Sequence, residues 1–122
     1  MELELDVILQ KAIEAHATGQ ILEAERLFDQ ILTVQPDHPD ANHKMGKLAF
    51  GEDRVEEALA YFKIALIADS NEGEYWLNYI DALLELNKLD DAKAVFDQAR
   101  HQGAKGEAFD LIGKRLSEPN VS

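Results

Sequence analysis

The chain has 122 residues, 46% hydrophobic and 30% charged, a length and balance that suit one folded domain rather than a disordered chain. Its 24 Asp and Glu against 12 Lys and Arg give a formal charge of -12, which repels phosphate backbones and anionic lipid faces, so neither nucleic acid nor membrane is an expected partner. The absence of cysteine excludes a disulfide frame, a thiolate metal site and a cysteine nucleophile.

From Leu5 to Ala17 the apolar residues Leu5, Ile8, Leu9, Ala12, Ile13 and Ala15 recur at three-and-four spacing and predict a helix, broken at Thr18-Gly19-Gln20. A second helix is expected over Leu22 to Val34, with Leu27, Phe28, Ile31 and Leu32 on its buried side. Pro36 ends it and Asp37 to Asp40 turn the chain. The plan then repeats: a helix over Ala41 to Phe50, a break at Gly51-Glu52-Asp53, and a partner over Val55 to Ala68. Asp69, Ser70 and Asn71 read as a turn that offers N-cap residues to the next helix. That helix is predicted over Glu74 to Leu86, with a break at Asn87-Lys88 and a partner over Leu89 to His101 closed by Gly103. A last amphipathic helix over Gly106 to Leu116 places Phe109, Ile112 and Leu116 on one side, and residues 118–122 are expected to form a flexible tail. Breaks this short fold each helix pair back on itself as an antiparallel hairpin.

The hairpins are copies of one unit. An alanine followed four residues later by a phenylalanine recurs as Ala24/Phe28, Ala58/Phe62 and Ala92/Phe96, in steps of 34 residues. A fixed period of this size marks a stacked repeat array, because one hairpin cannot bury both of its apolar faces alone. Small residues at Ala12, Gly46, Ala24, Ala58 and Ala92 let helix axes approach closely, and Phe28, Phe62 and Phe96 are expected to fill the space between neighbouring hairpins. These residues read as structural; Phe62→Ala is expected to cost about 3–5 kcal/mol.

Trp76, Tyr79, Ile80 and Leu83 in the third unit align with Asn42, Met45, Gly46 and Ala49 in the second and with Ile8, Lys11, Ala12 and Ala15 in the first, and Pro36 closes the first unit. With the Ala-x-x-x-Phe copies, this resembles the tetratricopeptide repeat (TPR), whose unit reads W-x2-L-G-x2-Y, then A-x3-F, then P. The resemblance implies an all-α fold: a right-handed superhelical array of antiparallel hairpins, an α-solenoid of about seven helices. Three hairpins would occupy residues 1–104 (about 5–38, 39–72 and 73–104), followed by a capping helix over 105–117. It also implies a concave groove lined by the first helix of each hairpin. By position the lining would be Asp6, Leu9, Gln10 and Ile13, then His43, Lys44, Lys47 and Phe50, then Glu74, Leu77, Asn78 and Asp81. The middle of that groove would be locally basic, flanked by Glu74 and Asp81, and would suit a peptide of mixed charge. Capture of a peptide's terminal carboxylate, known in one branch of the family, is disfavoured by Glu74 and by the apolar Leu9 and Ile13.

Nothing in the sequence supplies a catalytic constellation. His16, His38, His43 and His101 form no metal-binding helical pair, and no phosphate loop or nucleophile elbow is present. Asp37, His38, Asp40 and His43 straddle a turn where polar residues are ordinary. The expectation is a non-catalytic protein- or peptide-binding scaffold with no metal and no cofactor. One alternative is an accessory domain of a larger bacterial enzyme of the transferase type, since Glu74 to Gly106 is similar to segments preceding such domains. Another is self-association through Leu3, Leu5 and Val7, which no preceding repeat covers; a monomer is expected and a homodimer is the alternative. Without a basic, apolar leader or an apolar run of about 20 residues, the expected location is the cytoplasm.

Overall fold

Apolar residues at helical spacing, interrupted by three- to five-residue breaks, produce seven helices: α1 (Glu2–Ala17), α2 (Ile21–Val34), α3 (Pro39–Gly51), α4 (Val55–Ala68), α5 (Gly73–Glu85), α6 (Leu89–His101) and α7 (Glu107–Ser117). The computed structural model describes residues 2–117, with side chains from residue 4 onward, so the expected tail over 118–122 lies outside the described residues. No strand occurs among the described residues, and none of these helices is long and apolar enough to cross a membrane.

The hairpin corners repeat as faithfully as the helices. Gly19, Asp53 and Asn87, again 34 residues apart, adopt the left-handed conformation with φ of 80°, 62° and 58°. At each corner the next residue's N–H reaches back five residues: Gln20 to Ala15 O at 2.8 Å, Arg54 to Ala49 O at 2.9 Å, and Lys88 to Leu83 O at 2.8 Å. This bond pattern and the left-handed residue are the Schellman closure of a helix, which satisfies carbonyls that would otherwise be orphaned. Glycine takes that conformation without strain, and Asp and Asn are the side chains that tolerate it best. A fourth copy closes α6 at Gly103, with Ala104 N–H bonded to Ala99 O at 3.0 Å.

The turns between hairpins depart from expectation in two places. The third helix starts at Pro39 rather than Ala41, because proline fits the first helical position and His38 caps it, its Nδ1 accepting from Ala41 N–H at 3.0 Å. Ahead of α5 the N-cap is Glu72, without a side-chain bond, in place of Asp69, Ser70 or Asn71. Asp69 instead folds the turn by accepting from Asn71 N–H at 3.0 Å, and Ser70 O accepts from the Trp76 indole at 2.9 Å.

The core runs along the array as three adjoining clusters. The first joins Leu9, Ala12, Ala24, Leu27, Phe28 and Ile31 to Ala41, Met45 and Leu48; the second is centred on Phe62, Ala49, Ala58 and Ala82; the third holds Trp76, Ile80, Leu83, Ala92, Ala99, Phe109 and Leu116. Phe62 serves its own hairpin as well as the joint to the next. A Cβ added at Gly46 would lie 2.5 Å from the Phe62 ring, so the glycine is what lets α3 and α4 meet. Phe96 is only partly buried, packed on the third cluster with Phe109 of α7 at 5.9 Å and the Arg100 guanidinium of its own helix over the ring at 5.8 Å. Helix α7 follows the phase of the first helices: α3, α5 and α7 begin at residues 39, 73 and 107. At the other end Val7 is exposed and Leu5 packs partly on the first cluster, while the Leu3 side chain lies outside the described residues.

Candidate functional site

In this array α1 touches α3 and α3 touches α5, while α2, α4 and α6 make no comparable contact with one another. Elements spaced more tightly lie on the inner side of a curved stack, so α1, α3 and α5 line the concave surface. The 34-residue period sorts their residues into shared slots: Leu9, His43 and Leu77 in one; Gln10, Lys44 and Asn78 in the next; Ile13, Lys47 and Asp81 in a third.

The first of these slots faces the neighbouring helix, which corrects two sequence expectations. Leu9 is buried in the first cluster with Ala41, Met45 and Leu48 of α3, and His43 is 1% exposed; neither presents its side chain on the surface. His43 Nε2 lies 2.6 Å from Asn78 Oδ1 on α5, so the neutral ring donates to the amide oxygen and ties α3 to α5. Its ring also stacks on Tyr75 at 4.5 Å and lies 5.9 Å from Phe62. Burial holds the His43 pKa below its ordinary value, although the bond to Asn78 and the Glu74 carboxylate 3.9 Å away act in the opposite direction. Burial also pushes the Tyr75 phenol up to about 12.

The remaining expected residues lie at the surface to differing degrees. Gln10, Lys47 and Glu74 are exposed, with Asp6 beside them, and Ile13, Lys44, Phe50, Leu77, Asn78 and Asp81 are partly buried. The centre is less basic than the sequence suggests, because the Lys47 ammonium pairs with Glu74 at 3.3 Å. Such an exposed pair adds little stability but cancels the local charge, leaving Lys44 as the uncompensated lysine. Of the structural set, Ala12, Ala24, Phe28, Gly46, Ala58, Phe62, Trp76 and Ala92 are buried.

Between α3 and α5 lies a cleft of about 160 Å³, lined by Lys47, Phe50, Gly51, Phe62, Asn78 and Asp81. Gly51 and Phe62 were not expected in the lining. Only the phenylalanine's place in the hairpin core, open on one side to α5, connects it to the surface. A second residue that pattern reading missed is Asn42, whose buried amide donates to Pro36 O at 3.0 Å and His38 O at 2.8 Å and so locks the turn between hairpins. Its signal was visible, a polar residue in an apolar slot. Of the four polar residues about that turn, His38 caps α3 and His43 binds Asn78, and no group of three His, Asp or Glu residues that could hold a metal occurs among the described residues.

The sequence model of the tetratricopeptide repeat matches residues 15–77 and, overlapping, 49–114. No curated protein matches the sequence. Among solved structures, the fold is similar to the first TPR of Spaghetti (RPAP3) bound to an HSP90 peptide, with a TM-score of 0.84 at 14% identity, covering 96% of this chain and 93% of that one. It is also similar to the TPR2B domain of yeast Sti1 in its pHsp70 complex, with a TM-score of 0.82 at 14% identity over 94% and 97% of the two chains. A third likeness, to O-GlcNAc transferase of Thermobaculum terrenum, has a TM-score of 0.70 at 24% identity and covers 78% of this chain but 18% of the transferase.

Proposed function

The chain belongs to the tetratricopeptide repeat family, and on that premise we propose that it is a non-catalytic scaffold whose α1–α3–α5 surface holds a peptide or protein segment. The observation that carries this reading is the one-sided lining. The first helices contact one another and set exposed Gln10, Lys47 and Glu74 among partly buried Ile13, Phe50 and Leu77, a mixture suited to gripping both backbone and apolar side chains. Two structures of the same fold are complexes, one with an HSP90 peptide and one with pHsp70, which supports a peptide or protein partner for this chain as a class.

A photo-crosslinking amino acid placed at Gln10 or Lys47, and separately at Ile67 on the outer face of α4, tests the reading in cells. Saturable crosslinks to a discrete partner from the two inner positions, absent from Ile67, are expected. Crosslinks confined to Ile67 would overturn it.

A further inference from the structure

The cleft between α3 and α5 combines two features that point to the chemistry of its occupant. The first is its size and floor. An apolar cavity of about 150 Å³ accommodates one benzene-sized group, so a cleft of about 160 Å³ matches a single leucine- or phenylalanine-sized side chain. Phe62 is buried beneath it and Phe50 is partly exposed beside it. Gly51 leaves one side open, since a Cβ built there meets no atom within 4 Å.

The second feature is Asp81. Its carboxylate is partly buried in the cleft wall, and none of the salt bridges among the described residues involves it. Burial raises its pKa, with Arg115 of α7 acting the other way from outside ion-pair distance. Lys47, the other charged residue of the lining, is already committed to Glu74. A carboxylate partly stripped of water beside an apolar hole favours a cation that brings its own apolar neighbour. The formal charge of -12 would further draw such a segment to the molecule.

We propose that this cleft is a subsite for an apolar side chain adjacent to a lysine or arginine of the partner, with the apolar group seated against Phe62 and Phe50 and the cation on Asp81. The assignment rests on the reading of the α1–α3–α5 surface as the binding face. It names the partner's local chemistry: an apolar residue next to a basic one.

The test uses the intact chain, labelled with ¹⁵N, and three acetylated, amidated dipeptides as probes: Leu-Lys, Leu-norleucine and Leu-Glu. Leu-Lys is expected to shift the amides of Lys47, Phe50, Gly51, Asn78 and Asp81, binding about three- to tenfold more tightly than Leu-norleucine, with Leu-Glu weakest. Asp81→Asn keeps the side chain's shape and is expected to erase the Leu-Lys preference while leaving Leu-norleucine unchanged. A merely structural role for Asp81 would weaken both alike. Gly51→Leu, whose added side chain meets open space, is expected to block both probes without changing the fold. Equal affinity for Leu-Lys and Leu-Glu, or no shift in the cleft at concentrations on the order of 10 mM, overturns the proposal. The crosslinking pattern from Gln10 and Lys47 is independent of these probes, so the subsite can fail while the binding face stands, and the reverse.

Discussion

Gly46→Ala inverts the usual rule for glycine in a helix. In the interior of α3 an alanine would gain about 1 kcal/mol of helix propensity. Its Cβ, however, would lie 2.5 Å from Phe62 Cε1 and 2.6 Å from Cδ1, and the ring, 1% exposed, can yield only toward the small cleft that it floors. Forcing a methyl into a filled core costs about 1–3 kcal/mol, and displacing a buried Phe ring altogether would approach the 3–5 kcal/mol of its deletion. Set against the helix gain, the net expectation is a loss of about 1–3 kcal/mol, or roughly 3–10 °C in Tm for a chain of this size. Two controls carry the opposite expectation. Gly51 and Gly73 also lie in helices with ordinary φ, but a Cβ there meets nothing within 4 Å, so Gly51→Ala and Gly73→Ala should be neutral or stabilising by up to about 1 kcal/mol. Urea denaturation of the three variants, with Phe62→Leu added to Gly46→Ala, gives the answer. The shorter side chain should cost less in the Gly46→Ala background than alone, the coupling expected of residues in contact. If Gly46→Ala matched the two controls, the close approach of α3 and α4 over Phe62 would be refuted.

The corners predict a gain rather than a loss. Asn87→Gly and Asp53→Gly should each stabilise by a few tenths to about 1 kcal/mol by relieving a left-handed residue, whereas Gly19→Val should destabilise by about 1–2 kcal/mol; thermal melts check all three. For His43 the folded ring binds its proton less readily than the unfolded one, whose pKa is about 6.5. Its contribution to stability is therefore complete above about pH 6.5 and declines as the pH falls below it. His43→Leu, which places in α3 the residue found at Leu9 and Leu77, should flatten the loss of stability between about pH 7 and 5 in paired denaturation curves. At the alkaline end burial raises the phenols of Tyr61, Tyr75 and Tyr79 alike, and Tyr75, pushed up to about 12, should be the last of the three to ionise in ultraviolet difference spectra.

The architecture was legible because a strict period constrains every copy at once. Ala24, Ala58 and Ala92 could occupy equivalent places only if the units stacked, and the breaks left no route but reversal. The left-handed closures were legible only where glycine stands, at Gly19 and Gly103; Asp53 and Asn87 share the conformation because of phase, and their residue types are common in any turn. Surface detail was less readable, since it depends on how close neighbouring helices come. Leu9 and His43 fall in a slot aligned with Leu77, yet the first two are buried and the third is partly open, a difference set by what packs against each. The Lys47–Glu74 pair and the cleft between Phe50 and Asp81 arise only when α3 and α5 are laid side by side. Asn42 is the instructive case in the other direction: a polar residue in the slot that holds Ile8 and Trp76 in the other units fastens the first turn.

The central claim is that the partner lies along α1, α3 and α5. Its most direct test is a backbone amide shift map of the whole chain, recorded free and saturated with the segment captured by crosslinking. The account predicts the largest shifts at Gln10, Ile13, Lys44, Lys47, Phe50, Leu77, Asn78 and Asp81, with α2, α4 and α6 little changed. Shifts concentrated instead on the outer face, around the exposed Ile64 and Ile67 of α4, would contradict it.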